Sequence, residues 1–211
     1  MNARLQIGIL ALQGAVEPHA RLLGRIGASP VYVRKPEQLS GLAGIILPGG
    51  ESTAMIHLLK LNRLWEPLRE FVQTRPVLGV CAGAILLARK VTHPEQESLG
   101  AIDIEIARNA YGRQVDSFTA ELKPGVAWEG TPIEGVFIRA PRIQKVGAGV
   151  DVLFEHKGEP VLVAQGRCLA GTFHPELTDS IAVHHYFITQ CEAATPWTTA
   201  SPNTSASLSV N

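Results

Sequence analysis

The chain has 211 residues, 45% of them hydrophobic and 18% charged, which suits one compact domain with a sizeable core. Nineteen basic residues balance nineteen acidic ones, and no basic run interleaved with aromatics occurs, so composition offers no footprint for nucleic acid or a membrane surface. No stretch approaches ~18 apolar residues and the N-terminus carries no signal-peptide pattern, so the expectation is a soluble, cytoplasmic protein.

Leu5 to Leu12 is a short apolar run bounded by Gly14, the pattern of a buried parallel strand, and Val16 to Ile26 then takes helical spacing. Val31 to Val33 and Leu42 to Leu47 predict two more strands, the second ending at the Pro48-Gly49-Gly50 turn. Ser52 is placed to cap a helix whose apolar positions are Met55, Ile56, Leu59 and Leu61, and Trp65 to Val72 reads as further helix. Strands alternating with helices imply a parallel, doubly wound sheet, whose ligands gather at the carboxyl ends of the strands. Gln13, Gly49, Gly50 and Cys81 all fall there.

The central stretch is Pro76 to Leu86, PVLGVCAGAIL. A strand-like run through Val80 meets Cys81 at a sharp turn, and a helix is predicted over Ala82 to Lys90. A nucleophile on such an elbow needs neighbours without side chains, which Gly79 and Gly83 supply. The helix start directs free N–H groups and positive dipole at the sulfur, which favours thiolate.

From Leu99 the texture changes. Ile102, Ile104 and Ile106 alternate with polar or small residues, and short runs around Phe118, Val136 to Ile138 and Val152 to Phe154 read as antiparallel strands. His156 to Glu159 is a hairpin turn before Val161 to Ala164. The run Cys168 to Phe173 predicts a strand and leads into His174-Pro175-Glu176. On extended backbone i and i+2 point the same way, so Glu176 can orient His174 as base and orienter of a nucleophilic site. Asp179 to Gln190 is the predicted closing helix, with His184 and His185 at its surface or partly buried. The domain is assigned to residues 1–192, and residues 193–211, rich in Ser, Thr, Ala and Pro, are expected to be a flexible tail. Three cysteines, Cys81, Cys168 and Cys191, are too few and scattered for a disulfide framework or zinc site. Neither metal nor organic cofactor is needed for thiol chemistry here.

These motifs resemble the class I, triad-type glutamine amidotransferases, with elbow G-x-C-x-G and base H-P-E. Within them the chain is most similar to glutaminase subunits of pyridoxal 5′-phosphate synthase. The matching blocks are Leu10 to His19, Ile46 to Thr53, the elbow, Arg108 to Phe118, Gly135 to Pro141 and the segment around His174. Val80 departs from the pattern, which has a small hydroxylated residue there. The resemblance implies a single-domain flavodoxin-like α/β fold, a mostly parallel sheet with an added antiparallel region. It implies a Cys81-His174-Glu176 triad that hydrolyses L-glutamine to glutamate and ammonia. It also maps glutamine contacts onto Gly50, Glu51, Ser52, Arg108, Ile138 and Arg139. Oxyanion donors would be the N–H groups of Gly50 and Ala82, and Gln13 would lie at the partner-facing mouth. Glu51 can receive the α-ammonium and either arginine the α-carboxylate. The implied partner is a (β/α)8-barrel synthase subunit in a complex of twelve plus twelve chains, which takes the ammonia to build pyridoxal 5′-phosphate from ribose 5-phosphate and glyceraldehyde 3-phosphate. The alternatives are a glutaminase feeding another synthase and a stand-alone γ-glutamyl cysteine hydrolase.

Overall fold

The structure is a computed structural model that describes residues 4–108 and 117–194. Strand β1 (Gln6–Leu10) pairs in parallel with β2 (Ser29–Val33) on one side and β3 (Gly44–Leu47) on the other. Strand β4 (Val77–Val80) lies parallel between β3 and β12 (Cys168–Gly171). The order β2-β1-β3-β4-β12 is that of a doubly wound flavodoxin-like sheet, with a topological switch point between β1 and β3. Beyond β12 the same sheet continues antiparallel through β11 (Glu159–Gln165), β10 (Asp151–His156), β7 (Phe118–Pro124) and β8 (Ile133–Phe137).

The inner parallel strands β1, β3, β4 and β12 are buried on both faces because successive side chains enter opposite cores, while the edge strand β2 is only half-buried. Ile45, Leu47 and Val77 pack with Met55, Leu59, Trp65 and Leu68 from α2 (Ser52–Leu61) and α3 (Trp65–Thr74). Ile46, Leu78 and Val80 pack instead with Ala20 and Leu23 of α1 (Val16–Ile26) and Phe187 of α5 (Ala182–Ala194). Val80 is therefore a buried packing residue.

Four expectations are corrected. The elbow helix α4 (Ala82–Leu87) stops at Leu87, and Ala88–Thr92 is strand β5, not a continuing helix. The alternating segment, β6 (Ile102–Ala107), is not purely antiparallel: it pairs parallel with β5 and antiparallel with β9 (Arg142–Val146), a strand that its short, charged sequence concealed. Glu51, not Ser52, caps α2, since its carboxylate accepts from the N–H groups of Thr53 and Ala54 at 3.1 and 2.6 Å. His184 is fully buried rather than superficial, while His185 is exposed. The hairpin turn falls where the spacing put it, with Lys157 and Gly158 both at positive φ. Residues 109–116 of the Arg108 block lie outside the described residues, as does the expected tail except for Ala193 and Ala194, which end α5.

Candidate active site

The sharp turn after β4 puts Cys81 at φ +52°, in the left-handed region that non-glycine residues rarely occupy. The glycines beside it allow the approach this requires. A Cβ on Gly79 would sit 2.6 Å from the Gly83 carbonyl oxygen, and one on Gly83 only 2.0 Å from that of Leu47. Strand, elbow and helix are thus pressed together with no room for a methyl group. Cys81 N–H donates to the Gly171 carbonyl at 2.8 Å, which ties the elbow to the neighbouring strand β12.

That parallel pairing is what unites residues far apart in sequence. Gly171 lies beside Val80, so the chain leaving β12 runs past the elbow and delivers His174 to Cys81. His174 N–H donates to the Val136 carbonyl at 2.7 Å, fixing the backbone, and its ring packs on the bare Cα of Gly49. His174 Nδ1 lies 2.7 Å from Glu176 Oε1, and both residues are buried. Burial alone would disfavour the imidazolium. Hydrogen bonds with Cys81 and Glu176 and the field of both groups outweigh it and lift the His174 pKa to about 10.

In front of these groups lies a pocket of about 460 Å³. It is walled by Gly50, Glu51 and Ser52 after β3, by Arg108 after β6, and by Ile138 and Arg139 after β8. Every glutamine contact implied by the resemblance therefore lines the cavity that holds Cys81 and His174. Arg108 donates to Glu51 Oε1 at 3.1 Å and to Thr53 Oγ1 at 2.7 Å, so a cation and an anion stand side by side in the wall. Although partial burial opposes ionisation of Glu51, the N–H groups of Ala54 and Thr53, the Thr53 hydroxyl and Arg108 together lower its pKa. Arg139 projects at the exposed rim from a left-handed backbone, φ +42°. Ser52 faces inward, donating to Gln96 Oε1 at 2.8 Å.

Gln13 reaches from the end of β1 and brackets Glu51: its Nε2 donates to the Glu51 carbonyl at 3.1 Å and its Oε1 accepts from the Glu51 N–H at 3.3 Å. A Cβ on Gly50 would fall 2.5 Å from that amide, so the pinned loop depends on glycine there. Ala82, buried at the first position of α4, follows the nucleophile directly.

Two residues that bond to the pocket wall, Thr53 and Gln96, escaped sequence reading, as did the burial of His19 and His184. His19 had a readable signal, because Val16, His19, Ala20 and Leu23 share one helical face, which makes it a histidine on a buried stripe. Among the described residues no cluster of His, Cys, Asp and Glu could hold a metal ion, and no helix is long and apolar enough to cross a membrane.

A switch-point pocket on a flavodoxin-like sheet, with a cysteine elbow facing a carboxylate-backed histidine, defines the class I glutamine amidotransferase fold. Residues 9–193 match the SNO glutamine amidotransferase family, and the chain belongs to it. It is 51% identical over 189 residues to the pyridoxal 5′-phosphate synthase subunit PdxT of Solibacter usitatus, covering 88% of this chain and 98% of that protein. The subunit of the same name from Kosmotoga olearia is 48% identical over 187 residues, covering 87% and 96%. A crystal structure of a glutamine amidotransferase superposes with a TM-score of 0.81 at 42% identity, covering 88% of this chain and 98% of that one. A chain of PurLQS from Thermotoga maritima, at 15% identity and a TM-score of 0.61, shares the fold over 91% of this chain and 97% of its own.

Proposed function

We propose that the chain is the glutaminase subunit of a pyridoxal 5′-phosphate synthase, hydrolysing L-glutamine through Cys81, His174 and Glu176. The observation that carries this reading is the line Cys81, His174, Glu176 opening on a pocket whose wall pairs Glu51 with Arg108. A free amino acid with a reactive side-chain amide presents one positive and one negative charge at its far end, and such a wall offers a partner to each.

The Cys81 thiolate attacks the side-chain amide carbon, and negative charge develops on the amide oxygen. The N–H groups of Gly50 and Ala82 are the donors assigned to it, the first directly preceding Glu51, whose backbone Gln13 brackets. His174, carrying the proton, gives it to the departing ammonia, leaving a γ-glutamyl thioester. It then takes a proton from the incoming water, and glutamate leaves as the thiolate returns. Glu176 holds Nδ1 and stabilises the imidazolium throughout. At the other end of the substrate we assign the α-carboxylate to Arg108, whose guanidinium is held by Glu51 and Thr53, and the α-ammonium to Glu51. Ile138, Arg139 and Ser52 complete the walls.

Ammonia released to water is protonated and lost to synthesis, so the product has to pass directly to an acceptor enzyme. The relatives are named as subunits of pyridoxal 5′-phosphate synthase, which supports a synthase partner. A (β/α)8-barrel subunit in a complex of twelve plus twelve chains, docked over Gln13 at the mouth, is the assembly proposed. A free nucleophilic thiol is most easily preserved in a reducing compartment, and the cytoplasm is the location proposed.

Ammonia release from glutamine by the chain alone and mixed with the barrel subunit tests this reading. Strong activation on mixing, with pyridoxal 5′-phosphate formed from the two sugar phosphates, is expected. The Cys81→Ala variant should lose glutamine hydrolysis yet still assemble and support synthesis from added ammonia. Persistent hydrolysis in that variant overturns the mechanism, and full activity of the isolated chain with no response to the partner favours a stand-alone γ-glutamyl hydrolase.

A further inference from the structure

Behind the Glu176 carboxylate lies a pair of buried histidines that the steps above do not use. His19, in the first turn of α1, and His184, near the start of α5, are both fully shielded from solvent. His19 Nδ1 is 2.8 Å from His184 Nε2, with the ring centres 5.1 Å apart. On its other side His19 Nε2 faces Glu176 Oε2 at 3.7 Å. Among the described residues, His19 Nε2, Glu176 Oε2 and His184 Nδ1 are buried without a hydrogen bond. Folded proteins seldom leave three such atoms together, so the cluster calls for a reason.

The tautomers follow from electrostatics. A proton on His19 Nδ1 would turn the bare Nε2 lone pair toward the carboxylate oxygen, lone pair against lone pair. With the protons on both Nε2 atoms, the groups instead form one directed line. His184 Nε2–H donates to His19 Nδ1, His19 Nε2–H points at Glu176 Oε2, and Glu176 Oε1 accepts from His174 Nδ1–H. Both rings stay neutral. Burial first, then the neighbouring His184 and His174, hold His19 well below the usual histidine range, and burial pushes His184 down to about 4. Their places near helix N-termini, where positive dipole gathers, act in the same direction.

We propose that His19 is a positioning residue for the triad: its Nε2–H holds the second oxygen of Glu176, and His184 fixes its ring. This rests on the reading of Cys81, His174 and Glu176 as the working triad. A closing movement of less than about 1 Å brings the His19 contact into hydrogen-bond range, and catalytic hydrogen bonds often tighten only in the loaded complex. Without the donor, the carboxylate is held at one oxygen only and can rotate away from His174.

The test measures glutamine hydrolysis in the assembled synthase for the wild type and for His19→Leu, His19→Gln and His184→Leu. Leucine fills the space without a donor, whereas glutamine carries an N–H at the reach of Nε2. The expected result for His19→Leu is a fall in kcat of about tenfold or more, from leaving a buried charged acceptor unsatisfied, with KM for glutamine changed less than about twofold. His19→Gln should recover most of the rate, and His184→Leu should fall between. The downfield proton resonance of His174 Nδ1–H should broaden or shift in His19→Leu and return in His19→Gln. Equal losses in His19→Leu and His19→Gln, or a wild-type rate in His19→Leu, overturn the proposal. Should the leucine variant not fold, His19→Gln against the shorter His19→Asn decides, and equal rates there overturn it too. A wild-type complex that releases no ammonia from glutamine overturns the triad reading itself, a different outcome from any of these.

Discussion

Replacing Gly49 with alanine tests the geometry of the base with little disturbance of the fold. The backbone at Gly49 lies outside the left-handed region, so alanine is conformationally acceptable, but its Cβ would stand 2.4 Å from His174 Cε1 and 3.1 Å from Nδ1. Ordinary contact begins near 3.4 Å, so the imidazole has to withdraw by about 1 Å. A displacement of that size at a reacting group is worth on the order of a hundredfold in rate, equivalent to about 2.7 kcal/mol of barrier. The ring would also strain its 2.7 Å contact with Glu176. The loss in stability should be smaller, about 1–3 kcal/mol as for other overpacked sites, so the melting temperature falls by only several degrees in a chain of this length. Steady-state ammonia release in the presence of the synthase subunit measures the first quantity and thermal unfolding the second. The expectation is kcat reduced about a hundredfold, with KM for glutamine little changed and assembly intact. A Gly49→Ala enzyme that turns over at the wild-type rate would mean that His174 does not rest against Gly49 in the working complex, and the geometric case for His174 as base would fall.

Arg108→Ala removes the guanidinium that bridges Glu51 and Thr53 in the pocket wall. It should raise KM for glutamine about tenfold or more, from the loss of a charge-assisted contact, with a smaller change in kcat, and an unchanged KM would move the carboxylate assignment to Arg139. The pH dependence of stability tests the His174 environment. Its pKa rises from 6.5 to about 10 on folding, so folding takes up a proton at this site. The resulting stabilisation is fully present below about pH 6.5 and is lost as the pH climbs through about 10. The difference in melting temperature between the wild type and His174→Gln should therefore shrink steadily across that window, and a pH-independent difference would refute the raised pKa.

Much of the framework was written locally. The apolar runs of β1, β3 and β4 lack alternation because both faces are buried, and α1 was bounded as Val16 to Ile26 by helical spacing alone. The Gly-x-Cys-x-Gly elbow and His-x-Glu were legible because much of what shapes them is local. Gly79 is needed because the backbone of Gly83 passes close to it, although Gly83 itself answers to the distant Leu47 carbonyl, and a carboxylate two residues after a histidine lies in reach of its ring, here across the short 3-10 turn Pro175–Leu177 rather than the extended chain expected. Elements whose stability comes from distant partners were not legible. The helix after Cys81 ends at Leu87 because Ala88–Thr92 is captured by β6, a pairing that no propensity in those five residues announces. Strand β9 likewise exists because β6 offers it an edge.

At the site the same division holds. Local sequence carried the reactive groups: a cysteine at a constrained turn, a histidine with a carboxylate two residues on, and a glycine pair at a strand end. Packing between distant elements set Gly171 beside Val80, so that His174 reaches Cys81, and brought Arg108 to the carboxylate of Glu51, which caps its own helix locally. It also decided that His19 and His184, on helices at opposite ends of the chain, meet behind Glu176. The physical reason is that periodicity and turn chemistry are short-range properties of the chain. Which buried polar group finds which partner is set by the order and register of strands, and no local pattern encodes those.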